Sequence, residues 1–275
     1  MAIADVHVHT NHSHGRNSVA EMYTRARELG LAVLGFSEHS PRPEAYSYPK
    51  EYREHLTATF PDYIASVLAL KEKSGPPRVL LGLEMDYFPS EEDYLRRMVA
   101  AQPYDYIIGS VHYLGTWGFD FTSKDWEGLS EEETYGHYRE YFKNLAAMAR
   151  TRLAHIAAHP DIIKIFSVEA FREWIRGREA AKLVFEALRA VKDSGMAMEI
   201  SSAGLRKPCN EIYPGPALME MAVELDLPVS ISSDAHAAGD LTHGFAELIA
   251  YAKEYGYSSS VYAAGGKLHS LPFSG

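Results

Sequence analysis

The sequence predicts an α/β fold of strand–helix units closed into a barrel, and three observations carry that expectation. Short β-rich runs alternate with longer helical patterns along the whole chain. The 275 residues are 46% apolar and 23% charged, which allows a large core in a single domain over 1–275, a length α/β barrels commonly reach. Residues able to do chemistry gather at the ends of the strand candidates. In a closed parallel barrel those ends share one face, whereas an open sheet spreads them along an edge.

The first unit pairs a strand over 3–7 with a helix over 19–29, which Ser18 can open and Gly30 can end. A strand over 32–37 follows, then a long helical stretch over 51–73 with Pro61 as a candidate break. The third strand is expected over 79–83 and its helix over 91–101, opened by Ser90 and the acidic residues after it. The fourth, 106–110, precedes a helix over 130–150. There Ser130 and Glu133 match a capping box, and Glu131-Glu132-Glu133 suits the positive end of the helix dipole. The fifth strand, 155–159, leads to a helical stretch over 168–194 that Gly177 can divide. The sixth and seventh, 197–201 and 229–233, bring helices over 216–225 and 241–255. Several of these strands are apolar nearly throughout, as parallel strands buried on both faces are. A short eighth strand over 259–263 is a further candidate, soon interrupted by Gly265-Gly266.

Lys and Arg number 27 against 37 Asp and Glu, a net charge of −10 that disfavours duplex nucleic-acid binding, which needs a basic footprint. The N-terminus, MAIADVHVHTNHSHG, lacks the basic, apolar and small-residue succession of a signal peptide. The longest apolar run, 63–70, is far short of the ~18 residues of a membrane span. A soluble cytoplasmic protein without membrane contact is the expectation; the sequence sets no oligomeric state. One cysteine, Cys209, rules out an internal disulfide and a thiolate zinc cluster. Against it stand 13 histidines. Any metal is therefore expected on imidazole and carboxylate, which suit zinc, iron or manganese better than calcium.

The first strand runs out into Asp5-Val6-His7-Val8-His9, with His12 and His14 beyond. The second ends in Ser37-Glu38-His39, the third in Gly82-Leu83-Glu84, the fourth in Ser110-Val111-His112 and the fifth in Ala158-His159-Pro160-Asp161. The sixth leads to Arg206 and Lys207, and the seventh ends in Ser232-Ser233-Asp234-Ala235-His236. Two residues apart on a strand, His7 and His9 share a face. A carboxylate closing an apolar strand, as Glu84 does, is costly unless paired or metal-bound. Each piece alone is weak, but six of the seven strand ends offer His, Asp or Glu. His7, His9, His14, His39, Glu84, His112, His159, Asp234 and His236 together suffice for two or three ions at about three ligands each.

In this order, the pieces DVHVHT, SEH, GLE, SVH, AHPD and SSDAH resemble the PHP family, named for polymerase and histidinol phosphatase. Chain length and the pieces AHPDIIKIF, SAGLRKP and SDAH are most similar to the stand-alone histidinol-phosphate phosphatases. The resemblance implies a distorted (β/α)7 TIM-like barrel with a trinuclear metal centre. It implies a first metal on His7, His9, Glu84 and Asp234, a second on Glu84, His112 and His159, and a third on His14, His39 and His236. His12 competes with His14 in this alignment, and His155 with His159.

The activity so implied is hydrolysis of a phosphate monoester, foremost L-histidinol phosphate in histidine biosynthesis, by a hydroxide bridging two metals. Arg206 is the candidate phosphate clamp and Lys207 a weaker one. Asp234 or His236 is a candidate to protonate the leaving alkoxide. Glu38 either orients an imidazole or meets substrate, and His243 is a further substrate candidate. Tyr113, Tyr213 and Trp117 are candidates for a pocket wall. The competing readings are a PHP phosphodiesterase or exonuclease on nucleic acid, an amidohydrolase-type deacylase, and a non-enzymatic metal-binding regulatory domain. The acidic balance opposes the first, and Glu84 stands where the second usually has a modified lysine.

Overall fold

The computed structural model describes residues 3–46 and 49–273. The elements are β1 (Ala4–Asp5), α1 (Val19–Glu28), β2 (Val33–Phe36), α2 (Lys50–Lys71), β3 (Arg78–Leu81), β4 (Glu84–Asp86) and α3 (Glu92–Ala100). β5 (Ile108–Ser110), β6 (Tyr113–Leu114), β7 (Trp117–Gly118), α4 (Glu131–Arg150), β8 (Ile156–Ala157), α5 (Val168–Ile175) and α6 (Arg178–Asp193) follow. β9 (Ala197–Ser201), α7 (Pro216–Glu224), β10 (Val229–Ser232), α8 (Phe245–Glu254), β11 (Ser259–Ala264) and β12 (Lys267–Pro272) complete the chain.

Two parallel sheets, ordered β1-β2-β3 and β10-β9-β8-β5-β4, form the wall of the barrel. They join at two seams. At one, Val8 bridges Ala235, with His9 N donating to Ala235 O at 2.8 Å. At the other, His39 bridges Glu84, with Glu84 N donating to Glu38 O at 2.9 Å. The third stave is split: β3 pairs with β2, and β4 with β5. Seven staves result, counting β3 and β4 as one. Both seams lie among the sequence-predicted ligands, so barrel closure and site assembly are one event.

Inside the barrel, Ala4, Val6, Val33, Leu80, Ile108, Ile156 and Ala197 pack around Tyr106. Its hydroxyl donates to Val6 O at 2.6 Å. A β-carbon at Gly35 or Gly82 would stand 2.3 Å from a Tyr106 atom, so glycine is required at both. Outside, α1 and α2 cover β2 and β3 through Met22, Tyr63 and Val67, while the other helices cover the second sheet.

The structure corrects several expectations. α2 runs unbroken through Pro61, which sits on its exposed side; packing of Leu56, Tyr63, Ile64, Val67 and Leu70 offsets the lost hydrogen bond. Gly177 does divide the next stretch, as the extended cap of α6. Ser90 does not cap α3; the cap is Glu91, and the Ser90 hydroxyl meets Tyr46 at 3.1 Å. The last helix starts at Phe245, because Thr242 and Gly244 hold left-handed backbone at φ 58° and 68°. The eighth strand is β11, and it joins no barrel sheet among the described residues. It turns at Gly265-Gly266 into an antiparallel hairpin with β12, and its Ala263 and Ala264 close the barrel core. The β6–β7 hairpin had no place in the sequence reading. No described helix is long and apolar enough to cross a membrane.

Candidate metal centre and active-site clefts

Glu84 is the hub of the site. It is almost completely buried on the seam, and its two oxygens face different histidines. Oε2 lies 3.5 Å from His7 Nε2, 3.4 Å from His9 Nε2 and 2.8 Å from His39 Nδ1. Oε1 lies 3.1 Å from His159 Nε2 and 3.6 Å from His112 Nε2. Asp234 Oδ1 comes from the other seam, 3.2 Å from His9 Nε2 and 3.6 Å from His7 Nε2.

Buried carboxylates hold the far side of these rings. Glu199 Oε1 lies 2.6 Å from His7 Nδ1, while its other oxygen accepts from His159 N at 2.6 Å. Asp86 Oδ1 lies 2.5 Å from His112 Nδ1, and its partner oxygen accepts from Arg42 Nε at 2.9 Å. Glu38 accepts from Thr10 N and approaches His9 Nδ1 at 3.9 Å. Asp5 accepts from the backbone and hydroxyl of Ser233 and from Thr242 N, tying the first strand to the Asp234 loop. Such partners fix ring orientation and raise ligand basicity.

Burial opposes charge on His9, yet its contacts with Asp234 and Glu38 and the charge of Glu84 push its pKa up to about 9. His112 is likewise pushed up to about 9, against burial, by Asp86 and Glu84. Burial, together with the charges on neighbouring imidazoles, carries His236 well below its usual range. Burial also lowers His39. Glu84 and Asp234 are held well below the usual carboxylate range: burial resists, but the surrounding imidazolium charges prevail.

The donor atoms fit divalent metal ions. His7 Nε2, His9 Nε2, Glu84 Oε2 and His236 Nε2 are buried without a hydrogen-bond partner, an arrangement costly for a chain with nothing to bind there. Donor atoms fall within 4.8 Å of one another in the sets His7–His9–Asp234, His7–Glu84–His159, His9–His39–His236 and His39–Asp86–His112.

His14 stands on the exposed rim, its ring 4.1 Å from that of His236 and 5.0 Å from that of His39, with Nδ1 2.9 Å from Tyr52 OH. His12 instead turns toward Tyr63, and His155 accepts from Ile107 N at 3.0 Å, so neither alternative joins the cluster. Two clefts of about 400 and 390 Å³ open above it. The first has His39 and His112 at its floor, with Arg42, Tyr52, Tyr113 and Asp120 on its walls. The second is lined by Arg16, Arg206, Asp234, His236 and Asp240. His14 and Lys207 border both.

Two substrate-side expectations, Glu38 and His243, need correction, and Arg206 has a further engagement besides lining the second cleft. Arg206 spends Nη2 on the carbonyls of Ser233 and Asp234, at 2.7 and 3.0 Å, and so clamps the loop in which Asp234 holds a left-handed φ of 51°. Glu38 is buried behind His9, with Oε2 3.9 Å from Nδ1, and lines neither cleft. His243 is exposed on the turn before α8, outside the lining of both clefts. Of the aromatic candidates only Tyr113 lines a cleft. Trp117 packs on Trp126 and His137, and buried Tyr213 sits with Cys209.

Sequence reasoning missed Asp86, Glu199, Asp5, Arg42, Tyr52, Arg16 and Asp120. Asp86 and Glu199 carried a readable signal, a carboxylate within a buried strand, the same one that singled out Glu84.

The description PHP domain belongs to the family model that matches residues 5–203. A "Probable histidinol-phosphatase" of Deinococcus radiodurans is 34% identical over 258 residues, covering 92% of this chain and 94% of its own. The histidinol-phosphatase of Bacillus subtilis is 30% identical over 267 residues, covering 89% and 97%. The solved structure of histidinol phosphate phosphatase from Lactococcus lactis, complexed with zinc, L-histidinol and phosphate, superposes with a TM-score of 0.68 at 21% identity, covering 97% and 98%.

Proposed function

The chain belongs to the PHP domain family, and from that membership we propose that it hydrolyses L-histidinol phosphate to L-histidinol and phosphate with divalent metal ions as cofactors. The observation that carries this reading is Glu84, buried with one oxygen toward His7, His9 and His39 and the other toward His112 and His159. One carboxylate presented to two sets of imidazoles suits a bridge between ions. The proposed centre is trinuclear. His7, His9, Glu84 and Asp234 would hold one ion, Glu84, His112 and His159 a second, and His39, His236 and His14 a third. Zinc, iron and manganese all fit this donor set, and zinc accompanies the Lactococcus lactis relative. When bound, such ions polarise phosphoryl oxygens and lower the pKa of coordinated water.

The chain's own residues do the rest. Glu199 and Asp86 keep the His7 and His112 imidazoles turned inward. Lys207, on the ridge between the clefts, and Arg16 offer cationic donors to the entering phosphate. His236 Nδ1 lies 3.5 Å from Asp234 Oδ1, which joins the two ligands of the same loop. Arg206 acts through the backbone of that same loop. Residues 1–275 serve as one phosphoesterase domain acting in the cytoplasm on a small phosphorylated substrate.

Phosphate release from L-histidinol phosphate, set beside cleavage of single-stranded DNA, tests the proposal. The expected result is faster turnover of the monoester and loss of activity on chelation. Faster DNA cleavage supports the exonuclease reading instead, and full activity in metal-stripped protein refutes the metal requirement.

A further inference from the structure

The two clefts differ in how their charged groups are engaged. The smaller one gathers Arg16, Arg206 and Lys207 with Asp234 and Asp240 beside the proposed metal centre. In the larger one Asp120 is the lone carboxylate of the lining, opposite Arg42 and Lys207. Among the described residues it makes no hydrogen bond or ion pair, although two cationic side chains line the same cleft. Its position is well supported from behind. The preceding Phe119 is fully buried and packs on Tyr141, its N donates to His112 O at 3.3 Å, and its carbonyl accepts from Trp126 Nε1 at 2.7 Å. On this anchored segment the next residue, Phe121, presents a large ring to the cleft while 55% exposed. Arg42 is already paired with buried Asp86, so a carboxylate without a hydrogen bond or ion pair, beside an exposed aromatic ring, is able to meet an organic cation carrying a planar ring.

We propose that Asp120 and Phe121 are the specificity-determining wall of this enzyme, with Asp120 binding the primary ammonium next to the phosphoester carbon and Phe121 stacking on the substrate's heteroaromatic ring. The proposal rests on the phosphomonoesterase reading above and names the half of the substrate that each cleft takes. The phosphate lies toward Lys207 and the metal centre, and the amine and ring lie in the larger cleft. Selection then comes from pairing a charge that simple phosphate esters lack. A site built for a polar partner rejects an analogue without it more strongly than an apolar pocket rejects a missing methylene.

Three esters separate the contributions in the metal-loaded enzyme: L-histidinol phosphate, its deamino counterpart imidazolylpropyl phosphate, and phosphoethanolamine, which keeps the amine and lacks the ring. In Asp120→Asn the kcat/KM preference for histidinol phosphate over the deamino ester is expected to fall roughly tenfold, mostly through KM. Asp120→Glu is expected to keep more of that preference than Asp120→Asn. In Phe121→Ala the preference for histidinol phosphate over phosphoethanolamine is expected to fall several-fold, with the amine preference retained. An unchanged amine preference in folded Asp120→Asn, or an equal loss on both esters, overturns the assignment. Asp120→Ser supplies the same reading if the asparagine variant is not folded by circular dichroism. Wild-type enzyme without activity on histidinol phosphate overturns the functional reading, and this wall with it. Wild-type preference for the amine that survives removal of the carboxylate overturns the wall alone.

Discussion

Asp234 shows how one residue's role depends on another that never touches a ligand. Its left-handed backbone is disfavoured for a non-glycine residue, and the loop keeps it because Arg206 binds two successive carbonyls. Arg206→Ala is therefore expected to act on the metal centre rather than on phosphate affinity. Metal retained after dialysis should drop about 10-fold or more, with kcat falling and KM nearly unchanged. Elemental analysis beside steady-state kinetics checks this. A KM increase at full metal content would return Arg206 to the role of phosphate clamp that the sequence suggested. The sequence announced the imidazoles because histidine at a strand end is chemically conspicuous. Asp86 and Glu199 were legible by the same argument that marked Glu84. Arg42 and Asp120 were not, because their place on the cleft wall depends on how two loops pack, and no local pattern encodes that.

At the scale of elements, signals satisfied within one turn were legible, and those that depend on packing, such as the start at Ser90, were not. The Ser130–Glu133 capping box forms as the spacing predicts, and Ser18 opens α1 as expected, with Glu21 completing a box the sequence reading did not name; a cap is satisfied within one turn. Pro61 and the 241–244 turn were misread because tertiary packing decides both. Ser130→Ala should lower stability by about 1 kcal/mol, seen as a fall in Tm of about 2–4 °C. The backbone and hydroxyl of Ser130 hold the Glu133 carboxyl below its usual 4.5. A depressed carboxylate stabilises the fold above its unfolded pKa and loses that contribution as pH falls through the lower folded value. Glu133→Gln should therefore cost stability at neutral pH and show a smaller further loss on acidification than wild type. Thermal melts at pH 7 and pH 3.5 decide it; parallel acid profiles would show that the box does not form in solution.

Across the whole molecule, the seven-stave closure was legible because strand ends rich in ligands make sense only when they converge. The barrel floor was not, because the hairpin that plugs it reads locally as one more strand. Convergence also sets the pH response. In the metal-free chain, His9 and His112 are pushed up to about 9, so the stability they contribute is present below about 6.5 and is lost as pH rises toward 9. His39 and His236 are depressed; there the unfolded chain binds the extra protons, and stability rises with pH until about 6.5. The two trends meet, so within the histidine range metal-free protein should be most stable near pH 6.5 and weaken on either side. Metals need neutral imidazoles and so compete with protons. The stabilisation gained on metal loading should therefore be smallest at acid pH and should widen as pH rises from 6.5 to 9. Melting curves of loaded and chelated protein across pH 5.5–9 measure that gap directly. A gap that stays constant over this range would mean that the imidazoles of the cluster do not take up metal, and the proposed centre would fall with it.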